Sequence, residues 1–511
     1  MKLLLVLLFV CFSLTSQAQF KFQKYFPNFL ENQQFALSPS DSSYVIAGSF
    51  YFTNTFYDFC VVKLNKEGHI IWSKSFPSTY DDNLSSLSIS STGDIFLGGY
   101  KSSELGAFDF FYMKLNASGD LQWNKTYGTA NSEIAFYSGQ TPSGDIFMAG
   151  NRDANQQPCV IKTTNSGTIL WSKTFGSSIG EEEGSMAKIT KDGGLIIFGI
   201  LPHGKTFLTK INPNGSTAWT NSYISLHSAI PSSIKQTKDG GYIFTGSDYR
   251  CDSTGCKSYF AFIKLDDVGN VSWAKATGTL NGAGRNGMET SDGGFVFTGQ
   301  LIDSLYSKAV LIKTDHNGNT LWTKSYGNKD AFGEGFFIEE TTDKGFALLG
   351  IEDSKTYLIK TDVNGNSGCK EKNIYPVFSN MDFSKSTPYN LPEEISHDTT
   401  MIPISTETLI TFSDSLICNT TVNLNEIINT IDCSIYPNPF SESTLIDISN
   451  YPLNIHDFTF SLYDVFGRKV KQVSVNDNRF IFPRGNLPQG IYFYELSNDE
   501  KILSKGKLIA E

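Results

Sequence analysis

Residues 119–128 read GDLQWNKTYG. They hold Trp123, one of six tryptophans in 511 residues; the others are Trp72, Trp171, Trp219, Trp273 and Trp322. Each stands in a similar phrase: HIIWSKSF, TILWSKTF, STAWTNSY, NVSWAKATG and NTLWTKSYG. The spacings between them are 51, 48, 48, 54 and 49 residues. A period of about 50 residues is that of a propeller or a solenoid. Within each repeat one interval never varies: lysine, four residues, glycine, three residues, tryptophan. Lys63-Gly68-Trp72 and Lys114-Gly119-Trp123 are two of its six occurrences. Apolar runs flank the glycine, and the link is Asn-Pro-Asn-Gly, Asp-His-Asn-Gly or a relative. This is a β-hairpin whose turn needs the positive φ that glycine accepts.

A second hairpin follows in each repeat. Its turn is SSTGD, TPSGD, TKDGG, TSDGG or TTDKG, and its second strand closes on glycine, as in IFLGG and YIFTG. Four strands with two tight turns make one propeller blade. The lysine-bearing strand occurs seven times, the last with Lys360. The tryptophan strand occurs six times, and Phe22-x-Lys24-x-Phe26 copies its pattern near the start of the chain. The expected fold is therefore all-β: a seven-bladed β-propeller of four-stranded blades over residues 20–368. The N-terminal strand completes the last blade and removes the open edge. A competing strand is local, because Cys369 falls at the tryptophan position of the last unit. QFALSPS, LSSLSIS and RNGMET, rich in small residues, are placed innermost, and the tryptophan strand outermost, wedged between blades.

The ends add a route. Lys2 and the apolar Leu3 to Leu14 precede Ser16-Gln17-Ala18, so residues 1–18 read as a secretory signal peptide. The apolar run is short for a bilayer span, and no later run reaches that length. From 369 to about 430 the repeats stop, and the segment reads as a linker with limited strand content. Residues 431–511 carry SIYPNPF (Tyr436, Pro437, Asn438, Pro439), FSLYDVFGRKV (Gly467), LPQGIYFYEL (Gly490) and the closing KGKLIAE (Lys505, Gly506, Lys507). Alternating strands joined by Pro-Asn, Phe-Gly-Arg and Pro-Gln-Gly turns describe a small C-terminal β-sandwich. The four ordered motifs resemble the type A C-terminal sorting domain of the type IX secretion system of Bacteroidota. The resemblance implies handling by the type IX machinery, passage across the outer membrane and removal of this domain. The mature chain is then secreted or held on the outer cell surface.

The net charge of −11 argues against a nucleic-acid partner and against docking on anionic lipid. Export permits disulfides. CDSTGC points to a bridge between Cys251 and Cys256, and Cys369 and Cys418 bracket a polar segment and can pair. Cys60 and Cys159 hold the same strand position in two repeats and read as buried small residues.

No Gly-x-Ser-x-Gly elbow, Cys-x-x-Cys pair, P-loop or metal-spaced histidine pair occurs. The repeated hairpin resembles those of Asp-box sialidases and tryptophan-motif quinoproteins in its mechanics, without their residue order. The propeller holds three arginines, Arg152, Arg250 and Arg285, the minimum for a sialidase-like carboxylate clamp. The seven repeated lysines read as blade-edge residues with packed stems and wet heads. Glu31, Asp82, Glu133 and Glu182 each precede the same turn position by eleven residues, and Glu334 lies one residue off that register. They are expected to ring one mouth of the channel, either as carboxylates accepting backbone N–H groups or as a site for a cation or a polyhydroxyl ligand. No cofactor is expected; the Asp-x-Asn-Gly turns faintly resemble calcium loops, but Asp315-His316-Asn317-Gly318-Asn319 lacks the later acidic ligand and turn chemistry explains the pattern better, so calcium is the minor reading. The reading is a binding module for a glycan or a protein; the alternative is a secreted propeller enzyme acting on carbohydrate. The variable connections share the face opposite the tight turns, and binding is expected there.

Overall fold

A computed structural model describes residues 21–26, 31–51, 57–76, 82–102, 107–129, 131–152, 157–175, 183–201, 205–225, 228–253, 255–303, 305–386, 393–395, 408–409, 415–419, 433–448, 458–464, 469–475, 477–497 and 502–511. The expected signal segment lies outside them. Every described element is a strand. No described helix is long and apolar enough to cross a membrane.

The first blade is Glu31–Leu37, Tyr44–Tyr51, Tyr57–Leu64 and Ile70–Phe76, paired antiparallel in that order. The second, third and fourth blades repeat it from Asp82, Glu133 and Glu183. The fifth opens at Ser228. The strand Val271–Glu289 serves twice, closing the fifth blade with its first part and opening the sixth with its second. The seventh blade is Gly333–Glu340, Phe346–Glu352 and Lys355–Thr361, completed by the N-terminal strand Phe22–Phe26. Phe22 faces Lys360 and Phe26 faces Thr356 in that pairing. The local segment at Cys369 does not compete for this place, because the chain turns away through Gly368 and Lys370, both at positive φ. The innermost strands touch in sequence, and the seventh touches the first, so the ring is closed.

The cores lie between blades. Phe59 packs on Phe111 across the first interface with ring centroids 5.0 Å apart, and Phe262 stacks on Phe297 at 4.4 Å across the fifth. A bulge recurs in the inner strands, as between Leu84 and Ser86 or Gly335 and Phe337. Such bulges bend a strand and increase its twist. The half-buried tryptophans reach forward to the next blade. A Cβ on Gly119 would lie 2.8 Å from the Trp72 ring, one on Gly318 3.1 Å from Trp273, and one on Gly365 2.7 Å from Trp322. Phe22 fills the same role against Gly68, at 2.6 Å, and closes the cycle. The glycine thus meets two demands, a φ near +80° and the close approach of a ring.

The seven repeated lysines are not wet. Lys63, Lys114, Lys162, Lys210, Lys264, Lys313 and Lys360 pair with Asp41, Asp94, Asp145, Asp192, Asp239, Asp292 and Asp343 at 2.8–3.0 Å. The reason is topological. Both tight turns of a blade lie side by side on one face, so the lysine of one hairpin reaches the aspartate of the other. Burial pulls the Asp239 carboxyl upward, but hydrogen bonds from Thr237, Lys264 and the Gly241 N–H outweigh it and hold the group at about 2. Asp292 is held at about 2 in the same way, by Thr290, Gly294 and Lys313.

The segment after Cys369 does more than link. Its short strands add a further strand to the outer edge of blade after blade, in reverse order. Glu371–Asn373 pairs with the sixth blade, Phe378–Asn380 with the fifth, Phe383–Lys385 with the fourth and Glu393–Ile395 with the third. Thr408–Leu409 then joins the first blade, and Ser415–Asn419 joins Phe22–Phe26 in the seventh. The propeller unit accordingly runs to Thr421, past the boundary at 368 expected from the repeats. The tryptophan strand is outermost of the four, but this girdle covers its edge in six blades; among the described residues the second blade, Asp82 to Tyr127, has no added strand.

The C-terminal unit is a sandwich of two sheets, one of three and one of four strands. Phe440, Phe460, Phe482, Tyr494 and Leu508 are buried between them. The first and last motifs meet here. Asn438 Nδ2 donates to the Lys507 carbonyl at 2.9 Å, and its Oδ1 accepts from the Ile509 N–H at 2.8 Å. Gly506 lets the Tyr494 ring approach to 2.7 Å of where a Cβ would stand. Tyr436 is exposed, the Lys505 side chain lies outside the described residues, and so does Gly467.

Candidate functional site

The face opposite the tight turns carries the starts of the inner strands. Asp82 begins one of them and faces Lys101 at the end of the next strand; the side chains pair at 3.8 Å with Asp82 buried. Glu133 faces Arg152 in the same register, 3.4 Å away. It also accepts from the Thr129 N–H at 3.0 Å and the Thr129 hydroxyl at 2.6 Å. Burial pushes the Glu133 carboxyl up, and the Thr129 bonds and Arg152 oppose it. Glu334 takes the guanidinium of Arg285 from the neighbouring blade. All three expected mouth acids with described side chains are thus met by a cation. The Glu31 strand is described but its side chain is not, and Glu182 lies outside the described residues. Among the described residues no three His, Cys, Asp or Glu side chains are grouped to hold a metal.

The arginines take separate roles. Arg152 serves Glu133 in the third blade and Arg285 serves Glu334. Arg250 lies 2.7 Å from Asp248 and stacks 4.5 Å over the Tyr259 ring. Each is held by a different carboxylate in a different part of the ring.

Chemistry gathers instead between the fifth and sixth blades. The strands Tyr242–Asp252 and Gly255–Leu265 have 11 residues each, where the equivalent strands of the other blades have 6 to 9. They project on the loop face and end in the Cys251–Cys256 disulfide, with Cα atoms 4.0 Å apart. The Arg250–Asp248 pair and the stack on Tyr259 brace this hairpin. Beside it opens a cleft of about 500 Å³. Tyr249, Lys257, Asn281, Arg285 and Gln300 line it, with Ser232, Ser247 and Ser258 supplying hydroxyls. Tyr249 is 42% exposed, so its ring is available as a platform. Arg285 is fixed from behind by Glu334.

The channel wall holds a second polar group that small-residue composition hides. The Lys235 ammonium bonds Glu339 across the channel at 2.9 Å, from the fifth blade to the seventh. Lys188 lies 5.2 Å over the Tyr137 ring, and its burial lowers its pKa against the pull of Glu339. The same inner-strand position is Ala36, Ser88 and Gly139 in the first three blades.

Ring, export signal and sorting tail together define a secreted β-propeller. Residues 434–511 match the family described as the secretion system C-terminal sorting domain. This tail sends the chain through the type IX system to the outer surface or into the medium. No curated protein matches the chain. Among solved structures it is similar to the polysaccharide lyase Uly1, at 10% identity over 68% of this chain and 100% of that one, with a TM-score of 0.41. A glucose dehydrogenase is similar at 9% over 68% and 98%, with a TM-score of 0.32. PorZ, a surface component of the type IX secretion system of Porphyromonas gingivalis, is similar at 7% over 96% and 100%, with a TM-score of 0.24. At these identities and scores none of them bears on ligand or activity here.

Proposed function

We propose that the propeller is an extracellular binding module whose ligand is a glycan, held in the cleft between the fifth and sixth blades. The lining of that cleft carries the reading. An exposed tyrosine face suits the apolar face of a sugar ring. Amides, hydroxyls and a braced guanidinium supply the few placed polar groups that fix orientation in such a site. The cleft stands on the propeller frame at the hairpin whose described strands are the longest of their kind. Glycosidases use two carboxyl groups flanking the scissile bond. Glu334 is tied to Arg285, so its salt bridge favours binding over the enzyme reading.

The test is a glycan array on the propeller, followed by titration calorimetry with the best hit. Tyr249→Ala and Asn281→Ala are expected to weaken binding at least tenfold each. Replacing Asp82 and Glu133 together by Asn and Gln should leave it unchanged, since both acids are engaged with cations. Binding that survives Tyr249→Ala but is lost in the double variant would move the site to the acidic mouth. Release of shortened sugars from the bound glycan would establish the enzyme instead.

A further inference from the structure

We propose that Cys369 and Cys418 are joined and that residues 369–418 form a covalently closed girdle round the rim of the propeller. Cys369 is disulfide-bonded. Of the eight cysteines, Cys60, Cys159 and Cys433 form no disulfide, and Cys251 holds Cys256. That leaves Cys418 and Cys11, and Cys11 belongs to the segment expected to leave on export. The Cys418 side chain lies outside the described residues, but its backbone is placed. It stands opposite Gln23 on the neighbouring strand. Directly opposed residues of an antiparallel pair have Cα atoms about 4.5–5.5 Å apart. Gln23 is fully buried, and its Nε2 donates to the Cys369 carbonyl and to the Ser367 hydroxyl. Tyr357 donates to the Gln23 Oε1. One N-terminal side chain therefore holds the start of the girdle, and the backbone of the same residue faces its end.

The course between these points makes the bridge more than a local staple. From Cys369 the chain visits the sixth, fifth, fourth and third blades, then the first, and returns to the seventh. It leaves from and arrives at one place, with described strands on six of the seven blades along the way. A bond there turns a strap into a hoop of 50 residues, counted inclusively as 418 − 369 + 1. The hoop also seals the clasp, because Ser415–Asn419 covers the outer edge of Phe22–Phe26. The bridge falls three residues before the end of the propeller unit at Thr421. Removal of the sorting domain beyond that point leaves the hoop whole. This inference does not rest on the glycan reading.

The decisive experiment uses the exported chain purified without reductant. Peptide mapping by mass spectrometry should find Cys369 linked to Cys418. Finding both alkylated, or Cys369 linked elsewhere, overturns the proposal. A second variant carries a site-specific protease sequence inserted within residues 396–407, and is cut only after folding. On a denaturing gel the C-terminal piece should stay attached until reductant is added; release without reductant overturns the bridge. Cutting the hoop should lower the melting midpoint of the folded propeller by roughly 5 °C. The loop-closure entropy of about 50 residues corresponds to roughly a thousandfold in the unfolding equilibrium. Because the cut is made on folded protein, a folding defect cannot mimic the result. An unchanged midpoint after cutting would show that the hoop does not hold the ring.

Discussion

Replacing Gly119 by Ala separates the two demands on the hairpin glycine. At φ +81 an alanine pays the cost of the left-handed region, about 1–2 kcal/mol. Its Cβ also meets the Trp72 ring at 2.8 Å. Forcing a methyl into a filled contact of this kind costs a further ~1–3 kcal/mol. Gly293 is the control. It has φ +84 in the other tight turn, and a Cβ there meets nothing within 4 Å. Gly293→Ala should therefore pay the backbone cost alone. Thermal unfolding of the propeller, followed by circular dichroism, should place Gly119→Ala about 1–4 °C below Gly293→Ala, at roughly 1 °C per kcal/mol for a unit of about 400 residues. In a Trp72→Ala background the collision is gone, and Gly119→Ala should then cost no more than Gly293→Ala does. Equal melting points for the two single variants, or no coupling to Trp72, would refute the wedge.

Acid should loosen the ring: the Asp239 and Asp292 carboxyls titrate near 2, below their unfolded value of about 3.9. The stability they contribute is complete above pH 4 and is lost as pH falls toward 2. Melting points between pH 5 and 2 should drop less steeply in Asp239→Asn than in the parent. Phe22→Ala removes a buried ring from the clasp and should cost about 3–5 kcal/mol. A denaturant midpoint equal to that of the parent would contradict the closure. Gly506→Val would drive a side chain into Tyr494 of the sorting domain. Fractionated cultures should then hold the full-length chain inside the cell, while the propeller expressed alone melts normally.

Much of the ring is legible in the sequence because its rule is local. The Lys-Gly-Trp interval and the Asp-Gly turn fall within single hairpins, and Phe22-x-Lys24-x-Phe26 repeats a strand in full. The partners across hairpins are less legible. Lys264 and Asp239 meet only once both turns are on one face, and Asp82 meets Lys101 only once the register is fixed. The girdle was hidden for a different reason. Its strands are two to five residues long and carry no period, because the blade edge supplies the hydrogen-bonding template. The cleft left a trace that is plain in hindsight. The one interval of 54 residues, from Trp219 to Trp273, contains CDSTGC, and the surplus length is the projecting hairpin. Tyr249, Asn281 and Gln300 themselves follow no pattern, since they come from strands that only the fold brings together.

The clasp also has a consequence in time. Phe22 finds its partner Lys360 across a sequence separation of 338 positions, counted as 360 − 22, all of which must first be made. Non-local pairing of this kind is slow, because the entropy of closing a long loop is paid before any contact rewards it. Until then the first blade shows Phe22's docking glycine bare, and the seventh shows an open edge. A chain that stops early offers that edge to proteases and to its neighbours. Completion of the circle covers both seams at once, the edge of Lys355–Thr361 and the surface at Gly68.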